Sequence, residues 1–143
     1  MSHSIFRENF EVRDNEIDMQ GIVNNSNYMI YLAHARHKYV HKMGINFAEY
    51  AAKGLNLVVV SCNLNFKYAL RPNDQFYVTC EIKPSDSPIR FAFYQEIRLT
   101  ENDKLALTAE FIATCINEKA TTRAEKLFIP EDIKNLYQNN KTE

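Results

Sequence analysis

The sequence changes its hydrophobic period once, and that change limits the folds open to it. Tyr28, Tyr31, Leu32, Ala35 and Tyr39 stand at i, i+3, i+4, i+7 and i+11, one face of a helix. Met29, Ile30, Ala33 and Val40 make a second apolar face, so the spacing predicts a helix over about residues 27–43, buried on most of its circumference. Its last turns carry Arg36, His37, Lys38, His41 and Lys42, the charge that suits a helix C-terminus, and Gly44 supplies the cap. Beyond a loop or short helical turn at 46–57, the period becomes two. Runs at 57–68, 75–83, 89–100 and 105–117 are β-branched or alternating and read as strands. The turns between them, Arg71-Pro72-Asn73-Asp74, Pro84-Ser85-Asp86-Ser87-Pro88 and Glu101-Asn102-Asp103-Lys104, are short and polar. Strands joined so briefly form an antiparallel meander. Residues 4–13 read as a first strand, and Pro130 to Tyr137 as a short terminal helix within a polar tail from Thr121. The expectation is one α+β domain over residues 1–143, with its core at about 5–130. A curved antiparallel sheet of five strands would wrap around one long central helix.

Composition narrows the function classes. A chain of 143 residues buries a sizeable core without disulfides or metals. Net charge is −1, so no global field recruits nucleic acid or an anionic membrane. The first residues lack an apolar signal core, and no apolar run approaches the ~20 residues of a membrane helix. Cys62, Cys80 and Cys115 are odd in number and lie in strand-like runs; they read as buried free thiols in a reducing, cytoplasmic compartment.

The chemistry concentrates between Arg13 and Tyr28. Asp14, Glu16 and Asp18 alternate just before Gly21, where a glycine permits a sharp turn. Asn24, Asn25, Ser26 and Asn27 then offer helix N-caps. Such a stretch aims a carboxylate and the free N–H groups of a helix N-terminus at one small volume. That pairing suits attack on a carbonyl whose oxygen must carry charge. Asp18 is the candidate nucleophile or general base, against the plainer role of capping a turn. Glu16 and Asp14 are rival carboxylates that share its face in extended backbone. Asn24 and Asn25 either orient substrate or simply cap the helix.

Other groups read less sharply. His34, His37 and His41 stand at i, i+3 and i+7; no acidic ligand accompanies them on the helix, and exposed histidines near its C-terminal end are the plainer account. Lys67, Arg71, Arg90 and Lys119, at strand ends and turns, are candidates for the phosphates of a nucleotide-bearing thioester, or ordinary solvated charges. Ser61 and Asn63 follow a valine run and are candidates to face a cleft in a dimer. Tyr28, Tyr31, Phe47, Tyr50, Phe91 and Phe93 are candidates for an acyl pocket, or core.

The stretch Asp18-Met19-Gln20-Gly21-Ile22-Val23-Asn24-Asn25-Ser26-Asn27-Tyr28-Met29-Ile30-Tyr31 resembles the hot dog-fold acyl-CoA thioesterases of the 4-hydroxybenzoyl-CoA thioesterase type. Residues 66–74, Phe66 to Asp74, also resemble that family's strand-turn segment. The resemblance implies a hot dog fold and hydrolysis of an acyl thioester without a metal or other cofactor. It puts the catalytic carboxylate on Asp18, the loop glycine on Gly21, and the oxyanion donor on a backbone N–H at or beside Asn25. It also implies a homodimer or homotetramer with sites at the subunit interface. A lone curved sheet with open edges leads to the same expectation. Three departures bear on substrate preference. Asp14 stands where many members have Tyr, Glu16 where many have Asp, and Ala33 where many have Glu. The alternative is a hot dog module that binds an acyl thioester without cleaving it.

Overall fold

The computed structural model describes residues 5–138. The elements in chain order are β1 (Phe6–Glu11), α1 (Asn25–Lys42), α2 (Phe47–Ala52), β2 (Leu55–Phe66), β3 (Gln75–Pro84), β4 (Phe91–Leu99), β5 (Leu105–Asn117), α3 (Arg123–Lys126), β6 (Leu127–Phe128) and α4 (Glu131–Gln138), with a 3-10 turn at Asp14–Glu16 after β1. Helix and strands fall where the two periods put them. The sheet runs β1-β3-β4-β5-β2, with β6 added against β5. Strands β3, β4 and β5 are neighbours joined by short turns, so each must reverse; β1 pairs antiparallel with β3, Phe6 opposite Cys80 and Phe10 opposite Phe76. The architecture is therefore α+β with an antiparallel sheet, as the alternating runs require. Among the described residues, no helix is long and apolar enough to cross a membrane.

The chain divides into two compact units, and several elements pass from one to the other. The first takes the chain up to Tyr39, then Leu64–Glu81 and Tyr94–Ala109. Here α1 presents Tyr28, Tyr31, Leu32 and Ala35 to the interior, each 3% exposed or less. Phe10, Tyr31 and Phe76 form an aromatic cluster, with the Phe10 and Phe76 rings stacked at 5.2 Å. The Arg71–Asp74 turn closes by Asp74 N–H donating to the Arg71 carbonyl at 3.1 Å, while Asn73 takes φ 67. At residues 101–104 Asp103 has φ 58, and its side chain accepts the Tyr77 hydroxyl at 2.7 Å.

The second unit takes Val40–Asn63, Ile82–Phe93 and the chain from Glu110 on. Here α1 ends as the sequence predicts. Gly44, at φ 89, donates to the His41 carbonyl, and Ile45 N–H reaches back to the Val40 carbonyl. The loop after it becomes α2, capped by the Asn46 side chain, which accepts the Ala48 and Glu49 N–H groups. Tyr50 of α2 donates its hydroxyl to Asp132 of α4 at 2.5 Å, fastening two elements that are 82 residues apart. The buried face of α4 is Ile133 and Tyr137.

Two expectations fail. The second apolar face of α1 is buried only in part: Val40 is 1% exposed and Ala33 half-buried, but Met29 is 39% and Ile30 61% exposed. Cys62 is exposed, unlike Cys80 and Cys115. It lies on β2, an edge strand of the sheet order, whose residues are mostly exposed.

Candidate active site

The acidic loop folds by short-range bonding. Arg13 N–H donates to Glu16 Oε1 at 2.8 Å, and Glu16 N–H to the Arg13 carbonyl at 3.0 Å, closing the 3-10 turn. The chain then doubles back on itself as a miniature ladder. Asn24 N–H donates to the Glu16 carbonyl at 2.9 Å, Ile17 bridges Val23, and Asp18 N–H donates to the Ile22 carbonyl at 2.8 Å. The reversal needs Gly21, whose φ of 79 is left-handed and whose N–H donates to the Asp18 carbonyl at 3.1 Å.

Asp18 therefore has a fixed backbone and a half-buried side chain. Its Oδ1 accepts the Gln20 N–H at 2.8 Å; its other oxygen has no protein partner among the described residues. Across the ladder stands the start of α1. Asn24 caps the helix: its Oδ1 accepts the Ser26 N–H and hydroxyl, both at 2.9 Å, and its carbonyl accepts the Asn27 N–H. The Asn25 N–H is the amide left without a protein acceptor among the described residues, at the positive end of the helix.

Tyr28 is buried behind this site. Its hydroxyl accepts the Leu70 N–H at 3.0 Å. Burial raises its pKa, with the charges of Asp74 and Asp18 adding to the rise. Tyr31 donates its hydroxyl to Glu16 Oε1 at 2.7 Å; burial and that carboxylate push its pKa far above the ordinary tyrosine value. Tyr31 and Glu16 also line a groove of about 740 Å³ with Phe10, Arg13, Ile30 and His34.

The remaining candidates are distributed as follows. Lys67 and Arg71 are exposed in the first unit. Ser61 and Asn63 are exposed on β2, and Arg90 is exposed before β4, all in the second unit. Lys119 Nζ donates to the Ala52 carbonyl at 3.3 Å. Of the aromatic candidates, Tyr31 alone lines the groove; Tyr28, Tyr50, Phe91 and Phe93 are core, and Phe47 is 41% exposed. His34 pairs with Glu8 at 3.1 Å, and no three His, Cys, Asp or Glu among the described residues are placed to hold a metal. The sequence reading treats Glu16 only as a rival carboxylate and misses its bond to Tyr31. The signal available was the i, i+3, i+7 spacing of Asn24, Asn27 and Tyr31, all of which reach residue 16.

Comparison with known proteins gives a consistent picture. The sequence model of the thioesterase-like superfamily matches residues 12–136. Over 109 residues the chain is 35% identical to acyl-acyl carrier protein thioesterase ATL3, chloroplastic, of Arabidopsis thaliana, covering 76% of this chain and 57% of that protein. The chain thus spans a little over half the length of that relative. Among solved structures it is similar to Slr0204, a 1,4-dihydroxy-2-naphthoyl-CoA thioesterase from Synechocystis. The TM-score is 0.80 at 18% identity, over 95% of this chain and 97% of that one. It is also similar to a DHNA-CoA thioesterase from Staphylococcus aureus, with a TM-score of 0.78 at 24% identity over 95% and 90% of the two chains. These likenesses establish the hot dog fold that the loop-helix stretch implies.

Proposed function

The chain belongs to the thioesterase-like superfamily, and from that premise we propose that it hydrolyses an acyl thioester, with Asp18 as the reacting carboxylate. One observation carries the reading: the Asp18 carboxylate, with one oxygen unpartnered, lies on one arm of a short ladder whose other arm leads into the unpartnered Asn25 N–H at the helix start, both among the described residues. Asp18 attacks the carbonyl carbon, or removes a proton from a water that does so. The Asn25 N–H takes the charge that develops on the carbonyl oxygen. As the tetrahedral centre collapses the C–S bond breaks and the thiolate leaves. On the nucleophilic route water then hydrolyses the Asp18 anhydride. On the general-base route the acid forms at once, and the proton taken by Asp18 passes to the thiolate. A thiolate is a good leaving group, so the step needs no metal and no cofactor beyond the substrate.

The substrate is an acyl group on a phosphopantetheine carrier. The relative named above is an acyl carrier protein thioesterase, and the solved structures are coenzyme A thioesterases, so both carriers are candidates. Lys67, Arg71 and Arg90 are exposed cations available to carrier phosphates. Edge strand β2 exposes Val59, Val60 and Phe66, and α1 exposes Met29 and Ile30; these apolar patches support a homodimer or homotetramer. Three free cysteines, two of them buried, suit a reducing compartment such as the cytoplasm.

A thiol-release assay over a panel of acyl-CoAs and acyl carrier protein thioesters tests the reading. Asp18→Asn and Asp18→Ala should each lose at least ~10²-fold in kcat. Full activity in either variant removes Asp18 from the reaction. Binding of an acyl-CoA with no thiol release from the wild type makes the protein a binding module instead.

A further inference from the structure

Three residues of the helix start bond to one residue of the loop. The Glu16 carbonyl accepts the Asn24 N–H at 2.9 Å and the Asn27 Nδ2 at 3.1 Å, and its carboxylate accepts the Tyr31 hydroxyl at 2.7 Å. Asn24, Asn27 and Tyr31 are spaced three and four apart, so they form one stripe along α1. Residue 16 is thereby fixed to the cap, the first turn and the second turn of the helix together. Its carboxylate also closes the 3-10 turn through the Arg13 N–H at 2.8 Å. Asp18 follows two residues on, across an extended Ile17 with φ −93 and ψ 136.

We infer that Glu16 is the positioning residue of this site: it sets the distance and angle between Asp18 and the amide at the helix N-terminus. The inference rests on the hydrolase reading for its kinetic arm and on geometry for its other arm. Glu16 Oε1 already accepts two donors, which draws charge from the oxygen and suits a strut better than a nucleophile. The tie is also local to the pair that must be held. Asp18, by contrast, bonds to no residue of α1 among the described residues: its Oδ1 accepts the Gln20 N–H and its N–H donates to the Ile22 carbonyl. A carboxylate shifted by ~1 Å from its working position costs about 10²-fold in rate.

The experiment compares Glu16→Gln, Glu16→Ala, Tyr31→Phe and the Glu16→Ala/Tyr31→Phe double variant with Asp18→Asn. Glutamine keeps an oxygen that accepts both donors, so Glu16→Gln should stay within about threefold of wild-type kcat. Glu16→Ala and Tyr31→Phe should each lower kcat by about 10- to 100-fold with KM within about threefold. The double variant should be no worse than the poorer single one, as for two partners in one contact. If Glu16→Gln falls as far as Asp18→Asn, Glu16 is a reacting group and the inference fails. It fails equally if Glu16→Ala keeps wild-type kcat or raises KM alone. A second readout does not depend on catalysis. Amide hydrogen exchange at Asn24 should speed at least about tenfold in Glu16→Ala and stay within about threefold in Glu16→Gln. Unchanged exchange in Glu16→Ala overturns the positioning role. Should the wild type release no thiol, the hydrolase reading fails, and this exchange measurement alone decides the role of Glu16.

Discussion

Gln95 donates its Nε2 to the Leu32 carbonyl at 3.0 Å, so a strand side chain hydrogen-bonds the backbone of the long helix. Its Oε1 accepts Arg36 Nη1 at 3.1 Å, one helical turn further on. Gln95 is fully buried, and both ends of its amide are satisfied. The pair fixes the rotation of α1 about its axis, which apolar contacts alone leave less defined. The same rotation sets where Asn24, Asn25 and Tyr31 point.

Gln95→Leu keeps the volume and removes both bonds. It should cost about 1–3 kcal/mol, read from the urea midpoint at unchanged slope. An unchanged midpoint would mean that packing alone orients the helix.

Edge strand β2 carries the oligomer prediction. Val59 is 46% and Val60 43% exposed. A lysine at Val60 would place charge on any sheet continued from this edge. Sedimentation should show a dimer or larger assembly for the wild type and a monomer for Val60→Lys. A wild type that sediments as a monomer removes the proposed pairing.

The cysteines should differ in reactivity. Burial raises the Cys115 thiol to about 11 and the Cys80 thiol further still, so both stay protonated at neutral pH. Cys62 is exposed. Thiol titration of the native protein at pH 8 should label Cys62 quickly, and the other two only after denaturant is added. Fast labelling of Cys115 would contradict its burial.

Alkali should weaken the fold through its tyrosines. Burial and the hydrogen bond to Glu96 raise Tyr94 from 10.0 to about 12. Above pH 10 the unfolded chain gives up this proton while the folded chain keeps it. Unfolding free energy therefore falls as pH rises from about 10 to about 12. Tyr94→Phe should make that fall shallower, measured by denaturant unfolding at a series of pH values. An identical slope would show that Tyr94 titrates alike in both states.

The legible parts of this protein are those written in short stretches of chain. Gly44 ends α1 by a pattern confined to residues 40–45, and Asn24 begins it by bonds no further than Asn27. The turns at Arg71–Asp74 and at residues 101–104 lie where proline, asparagine and aspartate announce them. The 3-10 turn, α3 and β6 escaped because two to four residues are too few to show a period. Glu16 escaped differently: its charge was visible, but its partner Tyr31 lies 15 residues away.

Sequence alone determined the helix, the strands, the turns between them and the family that the loop-helix stretch resembles. Period, capping and turn chemistry act over fewer than about six residues, so they are readable in order. Tertiary structure decided which side of α1 is buried, which cysteine is exposed, and that Glu16 joins Tyr31 and Tyr50 joins Asp132. These depend on what meets a side chain across space. A residue's own neighbours in the chain exert no force that selects a partner 15 or 82 positions away.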